Sequence, residues 1–269
     1  MIHPGLCSVT FRSLDVAEVV ALASQAGLER IEWGGDVHVP PGDEDAARRA
    51  RELTEGAGLA VASYGSYLRF TGAEEEVLDE ARAVIASARA LGAPRIRVWA
   101  GRTPSARAEA EDRARIAGRI HAVAELAAAA GIGLGLEWHG GTLTDEIGST
   151  EELLRAIDHP AVTTYWQPHQ DQPGAEAVED LQHVLDAVST VHVFSWWPGG
   201  TRLALGERSD LWSEAFAVLA ADGRDHDVLL EFVPGDDPAL LAREARTLRS
   251  LLPAAAPAPG VPTGPEDPA

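Results

Sequence analysis

Leu91-Gly92-Ala93-Pro94-Arg95-Ile96-Arg97-Val98-Trp99 carries the pattern that decides the fold: the end of a helical stretch, a glycine, then a short apolar run. Glycine is common just past a helix C-terminus because it takes positive φ without a Cβ clash. A short run rich in branched residues after it reads as a strand buried on both faces. The pattern recurs upstream as Ala26-Gly27-Leu28 before Arg30-Ile31-Glu32-Trp33, and as Ala57-Gly58-Leu59 before Ala60-Val61-Ala62-Ser63-Tyr64. Downstream it returns as Ala130-Gly131-Ile132 before Leu134-Gly135-Leu136-Glu137, and as Asp222-Gly223 before Val228-Leu229-Leu230-Glu231.

The segments between these runs have helical spacing. Val77, Ala81, Val84 and Ala88 form one apolar stripe, Ile116, Ile120, Val123 and Ala127 a second, and Leu241, Ala245, Leu248 and Leu252 a third. Thr71 with Glu74 and Ser149 with Glu152 have capping-box spacing and predict two helix starts. Strands are expected near residues 5–11, 29–33, 60–64, 95–99, 132–138, 161–166, 190–195 and 227–233, each followed by a helix. Eight βα units in about 250 residues predict an α/β fold, a single (β/α)8 TIM barrel over residues 1–252. A doubly wound open sheet is the alternative, but its G-x-G-x-x-G turn after the first strand is absent. Residues 253–269, rich in Pro and Ala, have no period and little to bury, and read as a disordered tail.

The chain has 269 residues with 42 Asp+Glu against 22 Lys+Arg, a formal net charge of −20, and every cation is an arginine. Without lysine there is no Schiff-base aldolase, no pyridoxal-phosphate enzyme and no P-loop. The acidity argues against nucleic acid and anionic membrane surfaces as partners. No signal peptide and no membrane span is visible in the sequence. The single cysteine, Cys7, cannot form an internal disulfide and reads as a buried thiol, consistent with a cytoplasmic protein.

A TIM barrel carries its chemistry at the C-terminal strand ends. Read in order, those ends include Trp33, Tyr64, Trp99, Glu137-Trp138-His139, Trp166-Gln167-Pro168-His169, His192-Val193-Phe194 and Glu231-Phe232. Glu137, Gln167, His192 and Glu231 fall on four consecutive strands, so the barrel closes them around one side of its mouth. Each alone has an ordinary explanation, a solvated carboxylate or a hydrogen-bonded core histidine. Together, two carboxylates, an amide oxygen and an imidazole suit a divalent ion with mixed O/N ligands, Mn²⁺ first, with Co²⁺, Zn²⁺ or Mg²⁺ as alternatives. Glu137 and Glu231 are also the candidate acid/base pair. Candidate substrate contacts are His38, Arg97, Trp99, His139, His169 and Arg202. Arg97 has a competing reading as the ion-pair partner of Glu32 or Glu137, and His139 as a neighbour that orients a glutamate.

The order Glu, ligand, His, Glu on strands five to eight resembles the xylose-isomerase-like TIM barrels, and the resemblance covers residues 5–252. The runs Gly34-Gly35-Asp36-Val37-His38-Val39-Pro40, Tyr165-Trp166-Gln167-Pro168, His192-Val193-Phe194 and Leu230-Glu231-Phe232-Val233 look like a bacterial subgroup called sugar-phosphate isomerase/epimerase. The superfamily includes ketose epimerases, inosose dehydratases and endonuclease IV-type hydrolases. Its ketose epimerases place an aspartate on strand six with a histidine three residues later; here those positions are Gln167 and Gln170. The exchange removes one carboxylate from the ligand set and predicts looser metal binding.

The resemblance implies a metal-dependent isomerase or epimerase of a small sugar or sugar-like carbonyl compound, acting through an enediolate. A dehydratase is the near variant and a non-catalytic sugar-binding barrel the other alternative. The acidity weighs against a DNA hydrolase. The substrate and a homo-oligomeric state are left open.

Overall fold

A computed structural model describes residues 1–253; all but the first residue of the expected tail lies outside this range. Eight parallel strands close the barrel: β1 (Ile2–Cys7), β2 (Arg30–Gly34), β3 (Ala60–Gly65), β4 (Arg95–Val98), β5 (Gly133–Leu136), β6 (Val162–Trp166), β7 (Val188–Val193) and β8 (His226–Leu230). Pairing of β1 with β8, Ile2 opposite His226 through Leu6 opposite Leu230, closes the ring. Helices follow each strand: α1 (Val16–Gln25), α2 (Glu44–Gly56), α3 (Glu74–Leu91), α4 (Ala110–Ala129), α5 (Ile147–Ile157), α6 (Gly174–Val184), α7 (Ser209–Asp222) and α8 (Leu241–Leu251). The fold is the predicted (β/α)8 barrel. A short antiparallel hairpin, Ser195–Trp196 with Arg202–Leu203, rises from the loop after β7.

The repeated glycines end their helices with positive φ, 73° at Gly92 and 75° at Gly223. The three apolar stripes face inward, buried along α3 and α4 and at Leu241, Ala245 and Leu248 of α8; Leu252 is half-buried beyond that helix. The predicted helix starts are corrected. Ala73 caps α3, its N–H donating to the Glu76 carboxylate at 3.1 Å, and Gly72 turns the chain away after Thr71. Glu146 caps α5, and Ser149 lies inside it with its hydroxyl donating to the Leu143 carbonyl at 2.7 Å. The first strand also starts earlier than expected, at Ile2, because it pairs with β8 from that residue; Ser8–Phe11 is a 3₁₀ turn.

Alternate residues of each strand fill the barrel. At its N-terminal end the Asp227 carboxylate accepts from Arg30 at 2.7 Å and from Arg95 at 3.4 Å, and Arg95 donates to the Thr190 hydroxyl at 2.9 Å. Above this layer Tyr165 crosses to β5, where a Cβ on Gly135 would sit 2.3 Å from its ring; only glycine fits there. The next layer toward the mouth holds Glu32, Arg97 and His192.

Candidate active site

Glu137, Gln167 and Glu231 each stand one residue past a strand, on β5, β6 and β8, while His192 lies within β7. These positions put all four side chains at one level, and all four are buried. His192 Nδ1 is 3.0 Å from Gln167 Oε1, 3.5 Å from Glu231 Oε2 and 3.8 Å from Glu137 Oε1. Single ligand atoms of Glu137, His192 and Glu231 lie within 4.8 Å of one another. Two ligands bound at ~2.1 Å and at right angles stand ~3 Å apart, so these separations fit one shared ion.

Charge points the same way. Glu32, Glu137 and Glu231 face a single guanidinium, Arg97, which donates to Glu137 Oε2 at 2.8 Å and approaches Glu32 Oε1 at 3.9 Å. With His192 neutral, the cluster has two negative charges in excess. Like charges less than 5 Å apart repel by about 3 kcal/mol even at an effective dielectric of ~20. A divalent cation removes the excess.

Without one, protons take its place. Burial pushes the Glu231 carboxyl up; the His192 ring pulls it back, the Glu137 charge adds to the rise, and the net shift is upward. For His192 burial opposes the charge, but the Glu231 and Glu32 carboxylates outweigh it and hold the ring well above its ordinary range. Burial alone would raise Glu32, yet His192, Arg97 and the Ser63 hydroxyl hold its carboxyl at about 2. A second triad, Cys7 with Glu32 and His192, is equally close. Burial pushes the Cys7 thiol up to about 12, so in the metal-free protein it keeps its proton.

Over the cluster opens a cavity of about 550 Å³. Its walls are aromatic: Tyr67 and Trp99 on one side, Phe194, Trp196 and Phe232 on the other. Of the predicted substrate contacts, Arg97, Trp99, His139 and His169 line it. Arg97 does so as the ion-pair partner of Glu137. The His139 ring packs on Trp99 with centroids 4.1 Å apart, and its Nδ1 is 2.7 Å from the Gly140 carbonyl. His169 Nε2 accepts from the Trp138 indole at 2.6 Å, and burial holds its ring below the ordinary histidine range. Arg202 stands behind the far wall, its guanidinium 4.4 Å from the Phe232 ring centroid and paired with Asp236. His38 is not brought to the cavity. Its ring packs on Trp33, with Nε2 3.1 Å from the Leu14 carbonyl.

Residues 20–251 match the family described as the xylose isomerase-like TIM barrel. The chain belongs to this family. It is 25% identical over 225 residues to a 3-dehydroshikimate dehydratase of Bacillus anthracis, a match covering 77% of this chain and 80% of that protein. Among solved structures, a probable 3-DHS dehydratase involved in petrobactin synthesis from Bacillus anthracis superposes with a TM-score of 0.79 at 22% identity, over 93% of this chain and 99% of that one. A D-psicose 3-epimerase with D-tagatose from Clostridium cellulolyticum H10 gives 0.68 at 16% identity, over 94% and 100%. These relatives of the xylose isomerase-like barrel are enzymes, and at such identities the structural likeness is one of fold. Among the described residues no helix is long and apolar enough to cross a membrane.

Three residues gain a place that the strand-end reading did not give them. Glu32 entered it only as an ion-pair partner, but it is the third carboxylate of the cluster. Tyr67 and Arg12 line the cavity, the Arg12 guanidinium donating to the Tyr67 hydroxyl at 2.9 Å. Tyr67 lies two residues past the end of β3, and that position was the available signal.

Proposed function

We propose that this protein is a metal-dependent lyase that removes water from a small polyhydroxylated carbonyl compound. Glu137, Gln167, His192 and Glu231 would hold the ion. The observation that carries the reading is the inequality of the two glutamates. Glu137 is tied to Arg97 at 2.8 Å, whereas no arginine lies within ion-pair reach of Glu231 among the described residues. Epimerisation with exchange on both faces of an enediolate calls for two comparable acid/base groups; β-elimination calls for one strong base. The similarity to a 3-dehydroshikimate dehydratase supports the same choice.

A bound divalent ion would supply Lewis acidity to a substrate carbonyl and its neighbouring hydroxyl. Glu231, the carboxylate without an arginine partner, takes the proton from the carbon next to the carbonyl. The C–H electron pair becomes the new C=C bond, and the β C–O bond breaks. His139 acts as an imidazolium, its Nδ1–H donating to the Gly140 carbonyl and its Nε2–H giving the departing hydroxyl its proton, so that water leaves and the ring is left neutral. The aromatic walls flank the substrate's ring or chain and keep bulk water from the carbanion.

The test is to incubate the metal-loaded protein in D₂O with 3-dehydroshikimate and a panel of free and phosphorylated ketoses, and to follow the C–H signals by NMR. Chelator-sensitive loss of water with a new vinylic or aromatic signal is expected from a substrate with a β-hydroxyl. Solvent deuterium entering a ketose with epimer formation and no loss of water would return the assignment to an epimerase. No reaction anywhere in the panel would favour a binding barrel.

A further inference from the structure

The Glu32 carboxylate has no place in the chemistry above, yet it is 2% exposed and enclosed on every side. The Ser63 hydroxyl donates to its Oε2 at 2.6 Å. Its Oε1 lies 3.5 Å from His192 Nε2 and 3.9 Å from Arg97 Nε, in ion-pair reach of both, and neither nitrogen has a hydrogen-bond partner among the described residues. On β3, a Cβ at Gly65 would come within 3.0 Å of that same oxygen and 3.2 Å of Arg97 Nη2, so the missing side chain makes the room in which the three groups meet.

An imidazole that donates from one nitrogen offers a lone pair at the other, and a carboxylate behind a metal-binding histidine fixes which is which. The reverse arrangement, with Nδ1 donating to Gln167 and a lone pair on Nε2, would aim that lone pair at the Glu32 anion. We infer that Glu32 is a positioning residue, holding the His192 ring through Nε2 so that Nδ1 faces Gln167, Glu137 and Glu231. Without any ion the ring carries both protons and its Nε2 still approaches Glu32; what that approach does for metal affinity rests on the proposed function.

Two readouts test it in the full-length protein labelled with ¹⁵N-histidine. The first is the His192 Nε2–H proton by NMR, in the metal-free and Zn²⁺-loaded protein. The second is Mn²⁺ affinity by calorimetry. In the wild type a downfield, exchange-protected Nε2–H signal is expected, moving upfield or vanishing in Glu32→Gln, with Mn²⁺ binding weakened about 10-fold or more. Ser63→Ala, which frees one carboxylate oxygen and leaves the charge, gives smaller changes in the same direction and carries both readouts should Glu32→Gln not fold. An Nε2–H signal unchanged in the variants overturns the inference, as does unchanged Mn²⁺ affinity. A wild type that binds no Mn²⁺ but whose Nε2–H responds to Glu32→Gln overturns the proposed function and leaves the positioning role standing.

Discussion

At the N-terminal end of the barrel Asp227 sits between Arg30 and Arg95; at the C-terminal end Arg97 sits among Glu32, Glu137 and Glu231. Both layers bury ionised groups on neighbouring strands. In the first, each carboxylate oxygen of Asp227 has a guanidinium and the excess charge is positive, shared with half-buried arginines that reach solvent. In the second the excess is negative, it is buried, and a cavity opens above it. A self-satisfied ion cluster serves folding, whereas one short of a cation is arranged for something that arrives later.

The sharpest way to break this contrast is Glu231→Gln. It should abolish Mn²⁺ binding and lower turnover by about 10²-fold or more, the ordinary share of a positioned acid/base group. Retained activity measured on the identified substrate would remove Glu231 from the chemistry. At the other end Asp227→Asn should cost about 1 kcal/mol in denaturant unfolding, since it strips two half-buried guanidiniums of their shared anion while relieving a carboxyl that burial raises. Its Mn²⁺ affinity should stay as in the wild type, and a large loss would mean the two layers are not independent.

Gln167→Asp returns a third carboxylate to the ligand set and should tighten Mn²⁺ binding about 10-fold, more at low ionic strength. Unchanged or weaker binding in a folded variant would show that residue 167 does not face the ion.

An effect as small as that of Asp227→Asn is expected in the metal-free protein. The Glu231 carboxyl is raised in the folded state, so its protonated form contributes stability at low pH, and that contribution is lost as pH climbs through the raised value. Glu231→Gln should therefore unfold with the wild type in acid and become about 1 kcal/mol more stable near neutral pH. Equal stability across the range would mean that Glu231 is not strained without metal.

The barrel was legible because its signal is repeated: five glycines before five apolar runs, with helical stripes between them. The four-residue cluster was legible for a related reason, since strand ends of a closed barrel converge whatever their separation in sequence. The helix starts were misread because a Thr or Ser spaced from a Glu says nothing about where Gly72 turns or which carbonyl Ser149 meets. His38 was placed by its glycine-rich neighbourhood, but burial against Trp33 and the Leu14 carbonyl depends on contacts across the fold. Glu32 was hidden for a different reason. Its role depends on Gly65 and Ser63 of the adjacent strand, and nothing in Arg30-Ile31-Glu32-Trp33 distinguishes it from a solvated strand end.

Calorimetric titration of chelator-stripped protein with Mn²⁺, the wild type beside His192→Ala, tests most directly whether the mouth cluster is a cation site. One saturable site per chain, absent in His192→Ala, is the predicted result. No saturable binding, or the same isotherm for both proteins, would contradict it.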